Sequence, residues 1–233
     1  MATAKSGGCL ICGAPLEYRT AATLHKCALC GRPVVSSIIC EHGHYVCDKC
    51  HADGAIAPAK LLCLNSQSCA PWEIALEIMR LEGVNMHGPE HHVIVGFALA
   101  AAYCNASGRR AQLPKMLNTI EKRAEKIPGG TCGYWGACGA GLGAGVFLSA
   151  ALGATPLGGG KLCNQLTARC LAAIAAVSDV RCCKRNVGIS LREAVAFLRE
   201  NSIAELGEPE ILCEFSGRNA ECIGDECPWR GGA

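Results

Sequence analysis

Nineteen cysteines in 233 residues are the groups of this sequence most able to do chemistry, and most of them fall in pairs with the spacing of metal ligands. Cys9-x2-Cys12 and Cys27-x2-Cys30, fourteen residues apart, match a four-thiolate zinc ribbon. Each pair folds into a tight knuckle, and two knuckles complete a tetrahedron of sulfur. Next come Cys40, His42, His44, Cys47 and Cys50, where three thiolates and either histidine read as a second, Cys3His zinc site. Spacing fits a sequential and a cross-braced pairing of these ligands equally. Such sites supply folding energy to a segment too small for a core. Cys47-Asp-Lys-Cys50-His51 also fits c-type haem attachment. That chemistry needs export, and no secretory signal is evident, which leaves His51 as a surface residue of the knuckle.

Four more constellations lie downstream. His87-Gly-Pro-Glu90-His91-His92 sets three imidazoles and a carboxylate at a helix start. His87 and His91 converge on one metal with Glu90 or His92 assisting, or the group is an ordinary polar helix terminus. Cys132 and Cys138 precede a glycine-rich helix start that suits an anion, a cluster sulfide, or close helix packing. Cys163 and Cys170 share a helix face and read as packing thiols. Finally, Arg181-Cys182-Cys183-Lys184-Arg185 sets cations beside two thiols, which lowers a thiol pKa and favours a nucleophile or a ligand. Cys213, Cys222 and Cys227-Pro228 suit iron–sulfur ligation, completed by Cys182 or Cys183.

The elements that must position these groups are mostly helical. Residues 1–52 form the metal-binding module, 53–70 a linker with a turn at Asp53-Gly54 and Pro58, and 71–233 a helical cysteine-rich domain. Cys63 and Cys69 in the linker read as buried or accessory thiols. Helices are predicted from Pro71 to the Gly83 stop, from Pro89 through Cys104, and over 113–126, 140–153, 162–178 and 190–201. Ser190 and Glu193 read as a capping box opening the last. The fold class is mainly α: a small zinc-ribbon or treble-clef module with short β, then a glycine-rich all-helical domain. Twenty-eight glycines against eleven aromatics imply closely packed helices rather than an aromatic-rich sandwich. The stretch 127–160 carries no charge, but its helical run over 140–152 is shorter than the roughly 20 residues of a membrane span, so it reads as a buried helix.

Net charge of +2 gives no nucleic-acid signal. An odd cysteine count and no secretory signal point to a cytoplasmic protein whose paired thiols are ligands rather than disulfides.

With Cys40–His51, His87–His92, the Gly-Ala-Cys138-Gly-Ala segment and Arg181–Arg185 quoted, the chain resembles the cysteine-rich family catalogued as domain of unknown function 5714, over about residues 35 to 230. That resemblance implies an anaerobic cytoplasm, where iron–sulfur chemistry and free thiols persist. The Cys138 segment is also similar to proteins named for a spaced Cys, Gly-Cys-Ala-x-x-Gly, Cys, Cys pattern, from which Gly139-Ala140-Gly141 departs. Neither family brings an activity with it.

The expected function is a metalloprotein with structural zinc and an iron–sulfur or other metal centre, acting with a small-molecule or protein partner in redox or sulfur and metal handling. That centre would draw on Cys132, Cys138, Cys182, Cys183, Cys213, Cys222 and Cys227. A thiol enzyme with Cys182 or Cys183 as nucleophile and a non-catalytic zinc-module adaptor are the alternatives.

Overall fold

A β-hairpin comes first in chain order. In the computed structural model, which describes residues 8–208 and 210–230, β1 (Leu16–Lys26) and β2 (Pro33–Cys40) pair antiparallel, Leu16 opposite Cys40 and Lys26 opposite Pro33. The first residues of the metal-binding module and the last of the helical domain lie outside the described residues. Nearly every side chain of β1 is exposed, so the hairpin has no apolar core of its own.

Eight α-helices follow among the described residues: α1 (Asp48–Asn65), α2 (Pro71–Arg80), α3 (Glu90–Ala106), α4 (Leu113–Ala124), α5 (Thr131–Tyr134), α6 (Gly139–Ala151), α7 (Gly160–Ala175) and α8 (Cys183–Glu200). None is long and apolar enough to cross a membrane. Helix α3 is the axis of the core: every residue from Glu90 to Cys104 is buried, as expected for a helix apolar on all sides. Helices α1, α2, α4, α6 and α8 pack on it, and α7 lies against α6 and α8. After α8, two single 3₁₀ turns, Ser216–Arg218 and Gly224–Glu226, are the only helical structure among the described residues.

The glycines of α6 serve packing. A Cβ at Gly143 would come within 2.3 Å of the His92 carbonyl oxygen, well inside van der Waals contact distance. One at Gly139 would strike the His92 ring, and one at Gly145 the Thr167 hydroxyl. Packing, rather than an anion, therefore accounts for this part of the glycine run. Because the obstacle at Gly143 is backbone, Gly143→Ala forces α3 and α6 apart. A loss of about 1–3 kcal/mol is expected in chemical denaturation.

Two sequence expectations fail here for local reasons. The segment 53–70, read as a linker, is mostly helix, since α1 runs through it to Asn65. Ala55, Ala59 and Cys63, four residues apart, form its buried stripe. Pro58 removes the N–H that would bond the Gly54 carbonyl, and Gly83 packs against that same carbonyl. The last helix starts at Cys183, not near Ser190. Cys182 is its N-cap, the sulfur accepting from the Arg185 N–H at 3.4 Å. Ser190 is buried mid-helix and caps nothing.

Candidate metal centres

Three of the four ligand segments share one local device. Gly13, Gly31 and Gly43 take positive φ (78°, 71° and 79°), a backbone conformation that costs glycine little. Each closes a turn by donating its N–H to the carbonyl of the segment's first cysteine: Gly13 to Cys9 at 2.7 Å, Gly31 to Cys27 at 2.9 Å and Gly43 to Cys40 at 2.7 Å. The fourth segment, Cys47 and Cys50, sits at the start of α1, with Cys47 as its N-cap.

These segments assemble into two groups, each with its ligand atoms within 4.8 Å of one another: Cys9, Cys12, Cys40 and His44; and Cys27, Cys30, Cys47 and Cys50. The pairing is cross-braced, not sequential. Antiparallel register explains it, because Cys40 ends β2 opposite Leu16, beside the first knuckle. The Cys27–Cys30 knuckle lies at the hairpin turn, past a strand of eleven residues rising roughly 3.3 Å each. The segment after β2 then brings Cys47 back to that turn, where its N–H donates to the Cys27 sulfur at 3.4 Å. His44 Nδ1 lies 3.3 Å from the Cys12 sulfur. His42 is not in the group, and its side chain is 62% exposed.

The donor sets fit a tetrahedral ion. Metal–sulfur bonds of about 2.3 Å imply sulfurs about 3.8 Å apart. Cys30 and Cys47 stand at 3.8 Å, Cys12 and Cys40 at 3.5 Å. Burial opposes ionisation of Cys27, but N–H donors from Cys47, Cys30 and Leu29 hold its thiol down to about 6. In the same group, burial and the neighbouring thiols push Cys50 up to about 12. A bound cation removes that conflict.

The histidine trio separates. His87 Nε2 lies 2.7 Å from Glu221 Oε2 and 3.2 Å from Asn219 Oδ1, so it ties the C-terminal segment down. His91 Nδ1 bonds the Gly88 carbonyl at 3.1 Å and His92 Nδ1 the Ile127 carbonyl at 3.2 Å. Successive helix positions point about 100° apart, so the rings diverge and form no common ligand set among the described residues. Glu90 is fully buried against His51 Nδ1 at 3.1 Å. Burial would raise its carboxyl, yet the His51 hydrogen bond, the His91 and His51 charges and a backbone N–H together outweigh that and hold it at about 2. His51 is thus no mere surface residue: it fastens the metal-binding module to α3. Glu90→Gln leaves that imidazole without its charge partner, and a loss of about 3 kcal/mol in denaturant melts is expected.

A different set of cysteines surrounds one pocket between the start of α8 and the C-terminal segment. Cys182, Cys213, Cys222 and Cys227 all line it. Backbone N–H groups approach three of the sulfurs: Arg185 to Cys182 at 3.4 Å, Phe215 to Cys213 at 3.4 Å and Gly224 to Cys222 at 3.5 Å. Asn219 Nδ2 adds a second donor to Cys182 at 3.6 Å. Trp72, Met86, Phe215 and Trp229 supply apolar walls, and Lys184 and Arg185 positive charge. Lys184 is buried, its ammonium 4.7 Å from the Phe215 ring centre and pushed down to about 8 by desolvation. The four sulfurs do not close to the spacing of a single-ion site.

Cys132, Cys138 and Cys183 stand outside this pocket. Cys132 is exposed. Burial pushes Cys183 up to about 12, outweighing the neighbouring Arg181 charge, so the expected lowering by adjacent cations is reversed. Cys182 is also raised by burial. Neither is poised as a free thiolate nucleophile. Cys63 and Cys170 are packing thiols, both buried and both pushed up to about 12 by desolvation. Sequence reasoning passed over Asn219 and Phe215, whose only signal was proximity to Cys213 and Cys222.

The fold and these sites define a mainly helical protein with a zinc-ribbon-like hairpin module that carries two cysteine-rich groups able to hold metal ions. The chain belongs to the family of unknown function DUF5714, whose family model matches residues 59–230. The match begins beyond the two N-terminal ligand groups and contains all four pocket cysteines. No curated protein and no solved structure matches the chain.

Proposed function

We propose that this chain is a cytoplasmic iron–sulfur protein. Two structural zinc ions build its N-terminal module, and Cys182, Cys213, Cys222 and Cys227 hold a cluster that exchanges electrons with a redox or sulfur-handling partner. The observation that carries this reading is the convergence of four cysteines from distant positions around one pocket, with N–H donors at three of the sulfurs. Thiolates set wider than a single ion allows suit a multinuclear cluster, and donors to cluster sulfurs tune its potential. Lys184 and Arg185 offset the negative charge of a thiolate-bound cluster. The four-thiolate groups of the hairpin suit zinc, and a segment without an apolar core gains its fold from the ion.

Anaerobic purification with metal and acid-labile sulfide analysis tests the reading. Iron and sulfide present together, and lost together in Cys222→Ser, support it. A colourless protein holding zinc alone sinks it. Lys184→Met removes a positive charge from the pocket wall while keeping its length. Electrons then enter less readily, so the midpoint potential in a redox titration is expected to fall.

A further inference from the structure

Two imidazoles, not one, reach the exposed sulfur of the first ligand group. That sulfur belongs to Cys12, and it stands 3.3 Å from His44 Nδ1 and 3.7 Å from His42 Nδ1. Metal–nitrogen bonds of about 2.0–2.1 Å and metal–sulfur bonds of about 2.3 Å set nitrogen and sulfur about 3.6 Å apart on a tetrahedral ion, so the two distances bracket the ideal. His44 completes the group as it stands. His42 nevertheless has the surroundings of a ligand. Its backbone N–H donates to the Cys40 sulfur at 3.3 Å, which fixes the residue beside the group. Its far nitrogen, Nε2, lies 3.7 Å from Glu41 Oε1, the arrangement in which a carboxylate orients a metal-binding imidazole. Its ring is mostly in solvent, so it can turn without disturbing packed side chains. Gly43, between the two histidines, has a positive φ and open space where a Cβ would stand. The second group offers no such choice. All four of its donors are thiols, and Cys47 and Cys50 are built into the start of α1.

We propose that His42 and His44 are alternative fourth ligands of one zinc ion, and that this switch makes the Cys9–Cys12–Cys40 site the exchangeable one of the two. The inference rests on zinc filling the hairpin groups, and not on the cluster. In the switch, the bond from His44 Nδ1 to the ion breaks as the bond from His42 Nδ1 forms. Each neutral imidazole gives a lone pair, so no electron or proton changes hands. While one ring is displaced, a competing ligand from solution can enter at the exposed Cys12 edge. The three thiolates keep their grip until that ligand has bonded. The all-thiolate site has no spare donor of its own, and its ion stays as a fastening between the hairpin turn and α1. One module thus carries one ion as structure and one as cargo.

Zinc counted by native mass spectrometry on the full chain, and followed during release to the chelator 4-(2-pyridylazo)resorcinol, provides the test. Wild-type protein should hold two zinc ions and release one much faster than the other. His44→Ala should keep both, because His42 takes the vacated position. His42→Ala should also keep both, with its fast release slowed severalfold. The double variant His42→Ala/His44→Ala should lose one ion per chain. Loss of an ion from His44→Ala alone, or a double variant that keeps both, overturns the alternative ligand. Fast release unaltered in His42→Ala overturns its part in exchange. If the wild-type protein holds no zinc, the zinc reading of the hairpin fails, while the same counts on cobalt(II)-loaded protein still decide between the histidines.

Discussion

With zinc in both hairpin groups as proposed, Cys27→Ser is expected to cost the protein one of the two ions and much of its N-terminal hairpin, while the helical core stands. Two-stranded hairpins are marginal in water, and this one buries almost nothing along β1. Structural zinc supplies apparent binding energies on the order of 10 kcal/mol, which no other contact of the hairpin replaces. What remains is peripheral. The Tyr134 hydroxyl donates to the Arg19 carbonyl at 3.0 Å, and Arg181 stacks on Tyr18. Zinc released to a colorimetric chelator should halve, and trypsin should gain access at Lys26 and Arg32. Far-UV circular dichroism should keep its helical signal. Alkylation then reads the pairing: Cys30, Cys47 and Cys50 should become reactive while Cys9, Cys12 and Cys40 stay protected. Reactive Cys9 and Cys12 beside a protected Cys47 would restore the sequential pairing and refute the cross-brace.

The second large effect concerns the C-terminal segment. The described residues after Leu206, 207–208 and 210–230, hold little regular structure. Ordering them costs about 1–2 kcal/mol per residue in backbone entropy alone. Their apolar anchors are few. Phe215 and Trp229 are buried, each contributing at most about 3 kcal/mol, and Trp229 Nε1 donates to the Arg185 carbonyl at 3.0 Å. His87 Nε2 meets the Glu221 carboxylate at 2.7 Å, and Arg80–Glu214 adds an exposed ion pair. Three of the four pocket cysteines lie in this segment, so the proposed cluster would tie it to α8 through Cys182. Cys213→Ser should therefore lose its iron and release the segment together. Trp229 emission should shift to the red, and trypsin should cut at Arg218. A cluster-free variant with unshifted emission and an intact Arg218 bond would show that packing alone holds the segment.

Much of this was legible in the sequence, and the misses have physical causes. Helices α2, α4 and α7 follow from apolar periodicity, and α3 and α6 from long apolar runs without charge, with proline or glycine near several of the ends. Helix α1 was hidden because Asp53-Gly54 and Pro58 read locally as breakers. Its Ala55, Ala59 and Cys63 stripe is made of small side chains that give little hydrophobic signal. Ser190 mimicked a cap because the capping pattern is local, whereas the true cap is the Cys182 sulfur. The N-terminal ligands announced themselves by spacing, but their pairing depends on hairpin register, which spacing does not encode. Likewise, the seven downstream cysteines looked like one centre. Only tertiary packing turns Cys182 toward the C-terminal segment and leaves Cys183 outside that pocket, although the two are neighbours in sequence.

Iron and acid-labile sulfide, measured per chain on anaerobically purified protein alongside zinc, test the four-cysteine centre most directly. Two zinc ions together with iron and sulfide in equal amounts are expected, with the iron and sulfide abolished by Cys182→Ser, Cys213→Ser or Cys222→Ser and the zinc untouched. Zinc without iron or sulfide, or iron that survives all three substitutions, would contradict the assignment.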